Sequence, residues 1–192
     1  MNIIVRTNSG RYIVRPDTTW EKDNEDFFPP EFVRELSFSP VVFARICKPG
    51  RSVGQNFASR YYDLMGFGVL LYPHGMIDGS EEGFAAASCL DHTSFLPSPT
   101  ESREEFCSSD SFEIRCLKGN SGTSIFKHSG FMTSDMEKAI AEATRFIYIR
   151  TGDLIAVELA PREALCKAED GTVRVTGSKE GKEPSLDFNI VF

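Results

Sequence analysis

The sequence lacks several features that would assign a function directly. Its 192 residues contain three histidines and no C-x-x-C pair, so no zinc site of clustered Cys and His is indicated. The cysteines are odd in number and widely spaced, which argues against a disulfide framework. They are Cys47, Cys89, Cys107, Cys116 and Cys166. We therefore expect reduced thiols that are partly buried.

Long apolar runs and an excess of basic charge are also missing. No run approaches the roughly 20 apolar residues of a membrane span, and the first residues lack the apolar segment of a signal peptide. The formal net charge is −7, and basic residues do not interleave with aromatic ones. Because a polyanion would be repelled, we expect no nucleic acid partner. Because the apolar segments are missing, we expect a cytoplasmic protein with no membrane partner.

Phenylalanine, in contrast, is abundant. The chain has 16 Phe and 41% hydrophobic residues, which suffice for the core of one domain over residues 1–192. Residues 1–35 are expected to form an N-terminal hairpin and loop extension of that domain. The apolar runs at 3–5 and 12–14 flank Asn8-Ser9-Gly10, whose turn chemistry predicts the hairpin.

Residues 40–73 form the segment around which the rest is organised. A β-branched and aromatic strand ends at the turn signal of residues 48–50, and a second apolar strand covers 67–72. Between them Phe57, Tyr61 and Leu64 fall at helical spacing and predict an amphipathic helix that Gly66 closes.

The remaining pattern is that of a β-rich α+β domain with two helices. Phe112, Ile114 and Cys116 alternate with polar residues, as do the apolar residues of 186–192, and both segments predict strands. Strands are also predicted at 154–159 and 172–176. Ser134 and Glu137 have the spacing of a capping box, which predicts the second helix. Its buried stripe is expected to consist of Met136, Ile140, Ala143 and Ile147, and its end to lie near Thr151-Gly152.

Short motifs along the chain resemble those of short fumarylacetoacetate hydrolase family proteins. In order they are R-P-D-T at 15–18, F-F-x-P-x-F at 27–32, R-I-C-K-x-G at 45–50, F-A-x-R-Y-Y-D at 57–63, F-x-I at 112–114, M-T-x-D-x-E-x-A-I at 132–140, G-D-L-I at 152–155 and L-D-F-N-I at 186–190. Each is weak alone, but eight motifs in the same order cover nearly the whole chain.

The resemblance implies a mixed β-sandwich roll and a homodimer. Members of that family bind Mg²⁺ or Mn²⁺ and act on 2-oxo or 1,3-dicarbonyl acids by hydrolysis, decarboxylation or hydration. The chemistry needs carboxylate ligands, since the ion holds the oxo-acid and stabilises the enolate.

This sequence departs from the family at those ligands. Counting back from R-I-C-K places the family's E-x-E pair at Ser39 and Val41, and its third ligand falls at Leu70. Ser88 stands at the position of the family's lysine. None of these side chains can ligate Mg²⁺ as a carboxylate does.

Other family features are lost as well. The N-terminal histidine has no counterpart, because the first histidine of the chain is His74, and the glycine loop after G-D-L-I has lost its glycines. Arg45, Tyr61, Tyr62, Asp63 and Asp153 nevertheless stay in register. The resemblance therefore implies a retained fold without a metal or other cofactor: a catalytically degenerate homodimer with a binding or structural role, which takes a small carboxylic acid ligand.

Three further interpretations come from the remaining polar residues. His74 with Asp78 or Asp91 would make a metal-free acid–base site for an enzyme of the same substrate class, or they are ordinary loop residues. Cys89 and His92 could be interpreted as a thiolate and its imidazole partner, but a small buried cysteine is the simpler interpretation of Cys89. The Gly/Ser segment at 119–122 lacks a phosphate-loop pattern and predicts a hairpin turn.

Overall fold

A computed structural model describes residues 1–99, 101–106, 111–119 and 121–192, so Cys107 lies outside the described residues. The strands within them are Asn2–Arg6 (β1), Tyr12–Pro16 (β2), Trp20–Glu21 (β3), Glu35–Ile46 (β4), Tyr62–Pro73 (β5), Ser94–Phe95 (β6), Glu101–Ser102 (β7), Ser111–Lys118 (β8), Ser121–Ser129 (β9), Leu154–Glu158 (β10), Glu163–Lys167 (β11), Thr172–Lys179 (β12) and Leu186–Val191 (β13). The α-helices are Gln55–Ala58 (α1), Glu81–Ala87 (α2) and Thr133–Ala143 (α3), and 3₁₀ turns cover Asp17–Thr19, His74–Met76 and Ala168–Asp170.

Two sheets are assembled from these strands. The larger has the order β2-β1-β10-β4-β5-β6-β3, with β11 also paired to β4 and β7 to β5, and the smaller has the order β13-β12-β8-β9. The chain is thus β-rich α+β, as predicted. No helix of the described ranges is long and apolar enough to cross a membrane.

The antiparallel pair of β4 and β5 forms the centre of the larger sheet. Each strand has twelve residues, and the pairing runs from Leu36 opposite Pro73 to Ile46 opposite Tyr62. Both strands are buried on both faces, which explains why their sequences are continuous apolar runs without clean alternation. The two strands predicted in residues 40–73 are confirmed and extend further than predicted.

The main core lies between the two sheets. Phe67 of β5 stacks on Phe112 of β8 with ring centroids 4.4 Å apart, and Phe95 of β6 stacks on Phe188 of β13 at 3.5 Å. Helix α3 buries Met136, Ile140 and neighbouring residues against the same core. The alternating residues of the smaller sheet supply its other side, as their sequence pattern predicted.

A second, smaller apolar cluster covers the opposite face of the larger sheet. It is formed by Ile3, Val5, Val41, Phe43, Leu70, Tyr72, Leu96, Leu154 and Ala156. Ile13, Trp20, Ile77 and Phe84 pack against it while remaining partly exposed. We call this set the small cluster.

The N-terminal hairpin is confirmed and belongs to the larger sheet. β1 and β2 are antiparallel, and Gly10 in the turn has a φ of 78°, which glycine adopts without strain. β1 also pairs in parallel with β10, from Ile3 opposite Leu154 to Arg6 opposite Val157. The 119–122 segment likewise joins β8 to β9 as a hairpin, although Asn120 lies outside the described residues.

The predicted number of helices is wrong, since the described residues hold three and not two. The helix expected between the central strands is a single four-residue turn, α1, with Phe57 exposed. Residues from Tyr62 onwards pair with β4, because ladder formation with a buried strand outweighs a local helical pattern. Gly66 therefore lies inside β5, where a Cβ would come within 2.9 Å of the Phe43 ring.

Helix α3 was predicted correctly in its buried face and wrongly in its ends. It begins after Met132, whose N–H donates to Asp135 Oδ2 at 3.4 Å, so the cap lies two residues before Ser134. It ends at Ala143, well before the Thr151-Gly152 end that the apolar spacing indicated.

Candidate functional site

The positions that the resemblance assigns to metal ligands lie together on one face of the larger sheet. Ser39 of β4 is directly opposite Leu70 of β5, and Val41 lies two residues further along β4 opposite Gly68. Because side chains alternate along a strand, Ser39 and Val41 project to the same side. The three positions therefore converge although Leu70 is distant from the other two in sequence.

The side chains at this point do not fit Mg²⁺ or Mn²⁺. Val41 and Leu70 are fully buried in the small cluster, and Ser39 is fully buried with no hydrogen-bond partner for its Oγ. One hydroxyl and two aliphatic groups cannot replace the oxygen ligands that a hard cation requires. Across the described ranges, no group of three or more His, Cys, Asp and Glu is placed to hold a metal ion.

Ser88, at the family's lysine position, has a structural role at the end of α2. Its Oγ donates to the Phe84 carbonyl at 2.8 Å, and its own carbonyl accepts from Arg15 Nε at 2.9 Å. It is buried, and it also lines a cleft described below.

Among the described residues, no hydrogen bond or ion pair joins the three acid–base candidates His74, Asp78 and Asp91. His74 begins a 3₁₀ turn and is exposed, and Asp91 is exposed in a turn after α2. Asp78 Oδ1 accepts from the N–H and the hydroxyl of Ser80 at 2.9 and 2.6 Å, and these bonds lower the pKa of Asp78. Asp78 thus orders the loop before α2, and the acid–base hypothesis for the three residues stays a prediction.

The Cys89 and His92 pair is separated in the structure. His92 Nδ1 lies 3.2 Å from Oε2 of the buried Glu21, so this imidazole has a carboxylate partner and not a thiol. Cys89 is exposed, contrary to the buried cysteine that we expected. Cys47 is exposed as well, whereas Cys116 and Cys166 are buried.

Three residues that match the family motifs have structural contacts. Arg45 donates through Nε and Nη2 to both carboxylate oxygens of Asp63, at 3.1 and 2.6 Å, which ties β4 to β5. Asp153 is buried and accepts from the N–H groups of Asn2 and Arg150, each at 2.8 Å. These residues hold strands in place, so their presence is consistent with a retained fold.

A cleft of about 640 Å³ lies beside the small cluster. It is bounded by the β1–β2 turn with the start of β2, by α2, and by the chain that follows β10. Its lining residues are Thr7, Asn8, Ser9, Arg11, Tyr12, Ile13, Val14, Glu81, Phe84, Ala85, Ser88, Cys89, Glu158, Pro161 and Arg162. The size is that of a small-molecule site.

Buried polar groups adjoin this cleft through Glu158, which is one of its lining residues. Glu158 accepts from the Tyr72 hydroxyl at 3.0 Å through Oε1 and from the Asn8 N–H at 2.8 Å through Oε2. The fully buried Arg15 guanidinium lies 4.9 Å from the Tyr72 ring centroid and donates to three carbonyls and the Thr93 hydroxyl. Burial raises the pKa of the Tyr72 phenol and lowers that of the Arg15 guanidinium.

Sequence reasoning missed this cleft and its two arginines. Arg162 lies 4.6 Å from the Phe84 ring centroid and 5.2 Å from that of Tyr72, while Arg11 follows the turn of the N-terminal hairpin. The only local signal was that Arg162 stands in the segment where the family's glycine loop is lost. Nothing in the sequence shows that residues 11, 84 and 162 meet.

The architecture is that of fumarylacetoacetate hydrolase family structures. A protein of that family from Yersinia pestis CO92 superposes with a TM-score of 0.80 and 11% identity, covering 99% of this chain and 92% of the other. A 5-carboxymethyl-2-hydroxymuconate delta-isomerase from Mycobacterium smegmatis gives 0.75 and 13%, covering 99% and 78%.

A fumarylpyruvate hydrolase from Pseudomonas aeruginosa, solved with Mn²⁺ and pyruvate, is similar in the same way. Its TM-score is 0.77 at 12% identity, with 100% of this chain and 90% of that chain covered. At the level of sequence, no family model and no curated protein matches. The likeness establishes the fold, and the fold alone does not fix the function.

Proposed function

We propose that this chain is a fumarylacetoacetate-hydrolase-like protein that has lost the metal-dependent chemistry and serves as a binding or structural homodimer in the cytoplasm. Its ligand in this proposal is a small carboxylic acid. The four described cysteines are free, which supports a reducing compartment.

The observation that carries the proposal is the filling of the sheet face at Ser39, Val41 and Leu70. Two of these side chains belong to a closed apolar cluster, and the third offers a single hydroxyl. A divalent cation placed there would lose its hydration without gaining carboxylate ligands, which is strongly unfavourable.

The test is a metal-dependence experiment. Thermal unfolding is measured with Mg²⁺, with Mn²⁺ and with a chelator, beside turnover assays with an acylpyruvate and with oxaloacetate. We expect no metal-dependent rise in melting temperature and no turnover, since only a ligand that binds the native state stabilises it. A metal-induced rise accompanied by turnover would contradict the proposal.

Exposed aromatic side chains support the homodimer. Phe28 and Phe32 lie in one loop and are 69% and 65% exposed, and Phe57, Phe146 and Tyr148 are each more than half exposed. Contiguous exposed apolar patches mark interaction surfaces, and Phe28 and Phe32 are close enough along one loop to contribute to such a patch. Of the three phenylalanines at 27–32, Phe27 is buried and the other two are exposed.

Light scattering measures the assembly directly. We expect a mass near twice 21.4 kDa at micromolar concentration. Phe28→Ser combined with Phe32→Ser should shift the protein towards the monomer, whereas a monomeric wild type would contradict this part of the proposal.

The alternative is an enzyme of the same substrate class that uses His74 with Asp78 or Asp91. Turnover in the presence of chelator that is lost in His74→Gln would favour it over the degenerate protein.

A further inference from the structure

We propose that the cleft beside the small cluster binds an organic carboxylate with an apolar body, and that Arg11 and Arg162 hold its carboxylate. This rests on the proposed function, in which the fold is kept for binding, and it assigns that binding to a site away from Ser39, Val41 and Leu70. Three features of the cleft support this: free hydrogen-bond donors, an apolar wall, and a Glu158 carboxylate that is already hydrogen-bonded.

The free donors belong to the two arginines. In the part of the chain that the structure describes, neither guanidinium makes an ion pair or a side-chain hydrogen bond, whereas Arg6, Arg45, Arg103 and Arg174 each pair with a carboxylate. The Cζ atom of Arg162 lies over the Phe84 ring, 4.6 Å from its centroid, and a guanidinium in this position still has N–H groups that can donate to a ligand. Those groups match a carboxylate in bidentate geometry.

The apolar wall would receive the body of the ligand. Ile13, Val14 and Phe84 line the cleft, and Val14 is 44% exposed although it is β-branched and lies in a strand. Phe84 also stacks on Tyr72 with ring centroids 5.9 Å apart, so this part of the wall is fixed by the small cluster. A ligand that covers these side chains removes apolar surface from water.

The charge around the cleft favours an anion. Arg11 and Arg162 line the cleft together with two carboxylates, Glu81 and Glu158, while the fully buried Arg15 lies behind the lining, 4.9 Å from the Tyr72 ring centroid. Both oxygens of Glu158 already accept hydrogen bonds, from Tyr72 and Asn8. The two exposed guanidinium groups therefore remain available to attract an anion, although the chain as a whole carries a net charge of −7.

The experiment measures binding by NMR titration of the full chain in the presence of chelator. The probes are phenylacetate, 4-phenylbutyrate and phenylpyruvate, with phenylacetamide as the neutral analogue and inorganic phosphate as an anion without an apolar body. We expect at least one aryl carboxylate to bind at the cleft and to bind about tenfold or more tightly than either comparison ligand, since a charged hydrogen bond is lost with the amide.

Variants of the two arginines test the assignment. Arg162→Gln and Arg11→Gln should each weaken carboxylate binding about tenfold, the loss expected for one charge-assisted contact. The matched control is Arg60→Gln, because Arg60 is also an exposed arginine over an aromatic ring, 5.4 Å from the centroid of Phe57, and it is not part of the cleft. Its affinity should equal that of the wild type.

A second measurement needs no variant. Cys89 lines the cleft and is exposed, while the exposed Cys47 lies elsewhere, so an occupied cleft should slow alkylation of Cys89 by iodoacetamide and leave Cys47 unchanged. Peptide mass spectrometry separates the two sites.

The inference fails if none of the three carboxylates binds, if phosphate binds equally well, or if the arginine variants bind as the wild type does. These outcomes differ from a failure of the proposed function. Metal-stimulated turnover with arginine-dependent binding would overturn the degenerate protein and leave the cleft assignment standing.

Discussion

Leu70→Asp, which places a carboxylate where the resemblance assigns a metal ligand, should strongly destabilise the protein. Leu70 is fully buried in the small cluster and faces Ser39, whose hydroxyl has no partner there. Removing a buried leucine side chain costs about 2–5 kcal/mol, and a neutral polar group without a partner costs about 1–3 kcal/mol more. The loss therefore approaches the whole free energy of unfolding of a small domain, about 5–15 kcal/mol.

The same variant should depend on pH in a defined direction. Burial raises the pKa of the introduced carboxyl in the folded state above its unfolded value of about 3.9. Between those two pKa values the folded state binds more protons than the unfolded state, so stability falls as pH rises from about 4 towards 7. Leu70→Asn has a similar shape and no ionisable group, so it should lack this dependence.

Urea unfolding of wild type, Leu70→Asp and Leu70→Asn across that pH range measures both the loss of stability and its dependence on pH. A loss below about 1 kcal/mol for Leu70→Asp at neutral pH would refute the reasoning, because it would show a hydrated position and not a closed cluster. So would stabilisation of Leu70→Asp by Mg²⁺.

Three other predictions concern buried residues and their packing. Ser39→Ala should leave the free energy of unfolding unchanged or raise it by about 1 kcal/mol, because it removes an unpaired buried hydroxyl; a loss above about 1 kcal/mol in urea would show a missed partner. Gly66→Ala should cost about 1–3 kcal/mol, since its Cβ meets a fully buried ring, whereas Gly75→Ala has open space and should cost far less. Burial raises the pKa of the Cys166 thiol to about 12, so it should resist alkylation in the native protein at neutral pH and react only after unfolding, unlike the exposed Cys47.

The parts of the fold that follow from local pattern were predictable. The hairpin turn at Gly10, the alternation at Phe112 to Cys116 and the buried stripe of α3 each depend on residues close in sequence. The interpretation failed at α1, where helical spacing was present but pairing with β4 governs the backbone. Helix ends were also misplaced, because capping depends on where the chain can turn.

The candidate site was likewise predictable only in part from the sequence. The absence of carboxylates at Ser39, Val41 and Leu70 could be read from the sequence, because it needs only the register of the motifs. Strand pairing brings these three positions together. Burial of the second face of the sheet then encloses them with Phe43, Tyr72 and their neighbours. His74, Asp78 and Asp91 were proposed because they fall near the pocket that the resemblance implies, and no hydrogen bond joins them in the described residues.

The sequence by itself determined the β-rich α+β class of the fold and the residue types at positions 39, 41 and 70, which are Ser, Val and Leu. Both follow from residue types and short spacings along the chain, which do not depend on folding. Only the tertiary structure decided that Arg11, Phe84 and Arg162 share one cleft, since three distant segments meet there through the pairing of β1 with β2 and β10 and the packing of α2. Contacts between distant segments produce no periodic pattern in a single sequence. This cleft can therefore be recognised only in the folded chain.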